Sequence, residues 1–251
     1  MLKKRVIPIL LHYKSWLIKG KNFRNFRNIG NPTQAVKVFK SRNSDELIIL
    51  DVYASENKKK FDFKILENIS GECNMPLTVG GGLKNLHDIE NVLNLGADKI
   101  CINTSAIENP KIIKDISKKF GSQSIVVSID VNFENNDYVI YSNQGSKREK
   151  INLIDWINKV QDYGVGEIII TSIHKEGTYK GYDLNLLKLI YDSIKVPLLF
   201  NGGAGQINDF IELFKYKKVM GTCASSVFFF SEITPHSIKK IAKKHKIPIR
   251  S

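Results

Sequence analysis

The residues with the clearest chemical reach in this chain are two glycine runs, "TVGGGL" at 78–83 and "LFNGGAG" at 199–205. Each follows an apolar stretch and precedes an amphipathic one. Glycine in such a turn lets an anion approach backbone N–H groups beside a helix N-terminus, with no Cβ in the way. The candidates are Gly81 and Gly82 in the first run and Gly202 and Gly203 in the second. After the next apolar run in each case come small hydroxyl or amide residues: Asn103, Thr104 and Ser105, then Ser225 and Ser226. Two such sites imply a ligand with a phosphate at each end. The plainer alternative is that the glycines only make tight turns.

Two carboxylates could transfer protons. Asp51 and Asp130 each sit at the end of an apolar run, "ELIILD" and "SIVVSID". An unpaired carboxylate there is costly unless it is used or satisfied, so either could serve as a general acid or base. Either could instead bond a neighbouring loop. The first apolar run, "VIPILL" at 6–11, ends on Leu11 with no acid at all. At the opposite ends of four such runs stand Arg5, Glu46, Lys99 and Glu167, two cations and two anions. They would form either a charged ring or a stability layer.

These groups need a scaffold that brings run ends together. Eight short apolar runs alternate with stretches of helical period. In "DLNLLKLIYDSI", Leu184, Leu187, Ile190, Tyr191 and Ile194 recur at spacings of three and four behind Asp183, an N-cap. In 85–99, Ile89, Val92 and Leu93 form one face and Gly96 stops the helix. Strand and helix alternating eight times predicts a closed parallel (β/α)8 barrel. Its active-site residues then lie at the C-terminal ends of the strands and its stability layer at the other end. Two departures are a long polar loop, 14–30, and a hairpin-like stretch, 132–146. Shifting the chain by 121 residues lays Asp88 on Asp209, Gly81 and Gly82 on Gly202 and Gly203, and 103–105 on 224–226. This predicts one domain, 1–251, built of two duplicated half-barrels at about 1–121 and 122–251.

Composition narrows the class. The 251 residues are 42% apolar and 25% charged, as in globular domains. No apolar run approaches the length of a membrane helix, and the N-terminus lacks a small-residue cleavage site, so a cytoplasmic protein without membrane contact is expected. Three scattered cysteines give neither a disulfide framework nor a zinc site. The net charge of +13 comes without an RNA-binding or recognition-helix motif. Phosphorylated ligands or acidic proteins are better partners for it than nucleic acid.

Taken together, "KRVIP", "IKGKNF", "ELIILDVYAS", "PLTVGGGL", "KICINTSAIENP", "FGSQSIVVSID", "GEIIITSI", "GTYKGYD", "NGGAG" and "ASSVFFF" resemble the cyclase subunit (HisF) of imidazole glycerol phosphate synthase over nearly the whole chain. The resemblance implies a glutaminase (HisH-like) docked on the barrel floor, with Asp98 at the interface. Ammonia would enter through the gate of Arg5, Glu46, Lys99 and Glu167 and travel up the barrel. It implies phosphate and substrate contacts from Lys19, Asp51, Gly81, Gly82, Asn103, Thr104, Thr171, Glu176, Gly177, Asn201, Gly202, Gly203, Ser225 and Ser226. It implies no cofactor and no metal. Of the family's two catalytic aspartates, one corresponds to Asp130 and the other to Leu11. The family's usual "DVKDGRVVKG" reads "LHYKSWLIKG", and His174, Glu176 and Asn201 also depart from the usual residues. The departures all fall at the mouth, while the floor is intact. The leading expectation is therefore an ammonia-channelling subunit serving a sugar-modifying amidotransferase, a third partner that forms an acetamidino group in surface-glycan synthesis. The alternative is the genuine histidine-pathway cyclase, its missing acid supplied by a residue such as His12. A non-catalytic scaffold for a glutaminase is the third reading.

Overall fold

The computed structural model describes residues 3–54 and 61–250. The chain forms β1 (Arg5–Tyr13), β2 (Trp16–Lys21), β3 (Arg24–Gly30), α1 (Pro32–Ser41), β4 (Leu47–Asp51), α2 (Phe63–Ser70), β5 (Leu77–Gly80) and α3 (Leu86–Asn94). Then come β6 (Lys99–Ile102), α4 (Thr104–Glu108), α5 (Lys111–Phe120), β7 (Ile125–Glu134), β8 (Asp137–Ser142), β9 (Lys147–Arg148) and α6 (Leu153–Asp162). They are followed by β10 (Glu167–Ser172), α7 (Leu184–Ile190), β11 (Leu198–Asn201), α8 (Ile207–Phe214), β12 (Val219–Ala224), α9 (Ser226–Phe230) and α10 (Pro235–Lys244).

Eight parallel strands close in the order β1, β4, β5, β6, β7, β10, β11, β12 and back to β1. This is the (β/α)8 barrel that the alternation predicts. Its strands are buried on both faces, so they carry continuous β-branched runs. Along β1 the pleat sends Ile7, Ile9 and Leu11 into the bore. Val6 and Leu10 face the helical layer. The bore is filled by Ile48, Cys101, Val126, Ile169, Leu199 and Cys223 from the other strands. Among the described residues, no helix is long and apolar enough to cross a membrane.

Helix ends follow local chemistry. The Asn31 side chain accepts from the N–H groups of Thr33 and Gln34, with Pro32 in the first turn of α1. Asp183 caps α7 by accepting from the Leu186 N–H. That helix stops at Ile190, and a 3-10 turn carries the predicted apolar face on through Tyr191–Ser193. Gly96, at φ +104°, follows the end of α3.

The stretch 14–30 is not a loop. β2 and β3 form an antiparallel hairpin that extends β1 beyond the barrel rim. Asn22 and Phe23 turn it, both at positive φ (51° and 59°). On the far wall β7 continues past the rim and pairs antiparallel with β8, the hairpin expected at 132–146.

The internal repeat has a geometric counterpart. A Cβ on Gly81 would collide with the Asp51 backbone, and one on Gly202 with the Ser172 backbone, 121 positions further on in both cases. The register then slips: Leu198 pairs Val219 but Leu199 pairs Gly221, so Met220 is an extra residue. Beyond this bulge the equivalent positions are Asn103 and Ser225, which precede α4 and α9 with closely similar backbone angles (φ −130°, ψ −81° and φ −133°, ψ −71°). The single offset of 121 therefore fails for 103–105, which match 225–227 rather than 224–226.

Candidate active site at the barrel mouth

The strand ends surround one cavity of about 540 Å³. Of the sequence-predicted residues, Leu11, Lys19, Asp51, Gly81, Gly82, Asn103, Thr104, Asp130, Thr171, Glu176, Asn201 and Ser225 line it. Gly177, Gly202, Gly203 and Ser226 do not. Gly203 lies against Gly181, whose N–H donates to the Gly203 carbonyl at 2.9 Å. Gly177 lies against Gly20. These glycines serve close backbone packing between the loops after β10 and β11 and the β2–β3 hairpin.

Asp130 stands in the cavity wall on β7. Its Oδ2 accepts from Asn103 Nδ2 at 2.8 Å and its Oδ1 from Ser128 Oγ at 3.1 Å. Burial pushes its carboxyl up to about 6, against the hydrogen bonds of Ser128, Asn103 and Thr171, and the nearby charge of Glu176 adds to the rise. A carboxyl there changes protonation close to neutral pH, as a general acid or base requires. Ser128 is a partner that sequence reasoning missed. Its signal is the two-residue spacing, which puts it on the same strand face as Asp130.

Asp51 has a different part. Its Oδ1 accepts from the N–H groups of Tyr53 and Ala54, at 3.2 and 3.1 Å, shaping the loop after β4. Leu11 occupies the wall where an acid was sought, pairing with Ile18 across the β1–β2 ladder. His12 cannot replace the missing acid. It is fully buried behind the strand, edge-on to Phe61, and does not line the cavity. Burial holds its imidazole down at about 4.

The hairpin is bound to the loop after β10. Lys19 and Glu176 form a buried ion pair inside the cavity. Asn22 Nδ2 donates to the carbonyls of Ile173 and His174, at 3.0 and 2.8 Å. The Asn22 N–H donates to the Glu176 carbonyl at 2.9 Å. His174 Nε2 lies 3.2 Å from Asp183, away from the cavity lining.

At the other end of the bore the four predicted charges meet. Arg5 donates to Glu46 at 2.6 Å and to Glu167 at 2.8 Å; Lys99 reaches both acids at 3.0 Å. Thr78 Oγ1 adds a bond to Glu46 at 2.8 Å. Every charge in the ring has two opposite neighbours. Asp98 is exposed beside it, its Oδ2 accepting from the Leu77 N–H. Above the ring the bore is lined by aliphatic side chains and two thiols.

Comparison with known proteins gives one family. Residues 7–234 match the model of the family described as histidine biosynthesis protein. The imidazole glycerol phosphate synthase subunit HisF of Streptococcus mutans is 36% identical over the full length of both chains. That of Petrotoga mobilis is 37% identical, again over both full lengths. A putative imidazole glycerol phosphate synthase subunit hisF2 of Campylobacter jejuni is 40% identical, covering all of this chain and 99% of its own.

Proposed function

Because the chain belongs to the histidine biosynthesis protein family and is of its HisF type, we propose that it is the ammonia-receiving barrel of a glutaminase-dependent complex of the imidazole glycerol phosphate synthase kind. The observation that carries this reading is the pairing of two ends of one bore. A closed ring of four charges lies at the floor, and a carboxyl poised near 6 lies in a cavity at the mouth. A glutaminase seated below would release ammonia at the ring. The aliphatic bore favours neutral ammonia over ammonium, which would pay a large desolvation cost there. At the mouth, Gly81, Gly82, Asn103 and Thr104 on one side and Ser225 with Asn201 on the other would hold a ligand phosphorylated at both ends.

The relatives' names favour a part in imidazole glycerol phosphate synthesis, on the histidine pathway, over a role in surface-glycan synthesis. Leu11 supports a second reading, in which the barrel passes ammonia to another acceptor. One carboxylate cannot share proton transfer as a pair does. The deciding experiment is complementation of a bacterial strain lacking its cyclase subunit, with the cognate glutaminase co-expressed. Growth without histidine establishes the first reading. No growth, with an intact complex by gel filtration, removes the first. No complex removes both. The matched environments of Gly81 and Gly202 support the further reading that the half-barrels arose from one duplicated unit.

A further inference from the structure

The floor around the charged ring is electrically lopsided. The loops entering β5, β6, β7 and β10 (71–76, 95–98, 121–124 and 163–166) contain no lysine or arginine. The loops entering β11, β12 and β1, with the segment after α10, carry exposed Lys3, Lys195, Lys215, Lys217, Lys246 and Arg250. These three strands are neighbours in the barrel, so the cations form one crescent. Within it Lys215 is bonded to Glu212, and Asp192 is an exposed acid. The opposite side offers exposed Asp98 and Asp162; its basic residues at that level, Lys118 and Lys119 in the last turn of α5 and Lys159 in the last turn of α6, stand on helices and not on the entry loops, with Lys119 bonded to Glu90.

The crescent is continuous with the gate. A cavity of about 330 Å³ beneath the ring is lined by Lys3, Arg5, Glu167, Pro197, Met220 and Arg250. It therefore opens on the basic side, and its apolar members, Pro197 and Met220, sit within a charged rim. Apolar centre and charged rim are the anatomy of a protein interface. A nucleic-acid surface interleaves exposed aromatics with its cations. The exposed aromatics here, Trp16, Phe133, Tyr179 and Phe230, lie on the β2–β3 and β7–β8 hairpins and on the segments after β10 and β12, all at the mouth.

We propose that the floor is polarised to seat a glutaminase whose docking face presents carboxylates to the β11–β12–β1 crescent. The proposal rests on the reading of the barrel as a glutaminase partner and adds how that partner is chosen and turned. Rim charges of this kind act mainly on association rate and on discrimination between partners. Where one cell makes two glutaminases, the crescent selects the one with the more acidic face.

The test is surface plasmon resonance between the full chain and the glutaminase encoded in the same genome, from about 50 mM to about 500 mM salt. The dissociation constant is expected to rise about tenfold or more, chiefly through slower association. Lys195→Glu, Lys217→Glu and Lys246→Glu together are expected to weaken binding about tenfold or more at low salt, and each alone about threefold, which keeps the test readable should the triple variant not fold. Binding that ignores both salt and these reversals overturns the polarity and leaves the glutaminase reading standing. Displacement of the glutaminase by an equal concentration of a single-stranded RNA oligonucleotide also overturns it, by showing a general polyanion surface. Absence of any complex at every salt concentration overturns the functional reading, and this proposal with it.

Discussion

Leu11 on β1 and Asp130 on β7 face one cavity from opposite walls of the barrel, four strands apart in either direction round the sheet. One wall carries a carboxyl whose proton is loosely held near neutral pH, and the other a methyl-terminated side chain that transfers nothing. We expect Leu11→Asp to raise turnover of the histidine-pathway ribonucleotide, assayed with an ammonium salt, by about 10²–10³-fold. Asp130→Asn is expected to abolish it. Equal rates for Leu11→Asp and the unmodified chain would show that this wall takes no part in proton transfer.

Asp130 also lowers stability in its charged form. Its folded pKa, about 6, lies above the ordinary 3.8. Folding therefore favours the protonated acid, and the penalty is full above pH 6, shrinks as pH falls and vanishes below 3.8. Asp130→Asn is expected to raise Tm by about 5 °C at pH 8, with the gain fading toward pH 4. Thermal melts across that range read the effect.

His12 runs against this pH trend. Its folded pKa of about 4 lies below the ordinary 6.5. Stability is therefore fully present above 6.5 and is lost as pH falls toward 4, by about 3 kcal/mol in all. His12→Leu keeps an apolar group against Phe61 and should flatten the urea-unfolding profile between pH 7 and pH 4. A variant whose stability still falls as steeply would place the acid sensitivity elsewhere.

The ring should couple two chemistries. Glu46 is buried and holds Arg5, Lys99 and Thr78 at once. Glu46→Ala leaves Arg5 and Lys99 to share Glu167 and should cost about 3 kcal/mol. Lys99→Ala spares the Arg5 bonds to both acids, and should fold but leak. With the glutaminase bound, glutamine hydrolysed should exceed product aminated, where the unmodified chain gives a ratio near one. A ratio unchanged in Lys99→Ala would make the ring a stability layer.

The eight strands, the caps at Asp183 and Gly96, the ring and the position of Asp130 were legible in the sequence. Each depends on nearest neighbours or on strand polarity, which a local pattern records. The hairpin 16–30 was not legible, because β3 is largely solvent-exposed and alternates no apolar face. Its one local signal is Asn22 before Phe23, a residue that tolerates positive φ. The Lys19–Glu176 pair joins residues far apart in the chain through the meeting of two loops, and nothing near either residue announces the other. Met220 escaped for a similar reason: a bulge shows in register against a neighbouring strand, not in composition.

The ring of four charges is shared unequally along the chain. Severed at Gly121, the molecule would leave Arg5, Glu46 and Lys99 on the first fragment and Glu167 alone on the second. Two copies of the first fragment would crowd four cations about two anions, and two copies of the second would bring two anions with no cation. Only the mixed pair is electroneutral. The bottom of the barrel thus works as a keyed clasp between the halves, so complementary fragments should find one another in preference to their own kind.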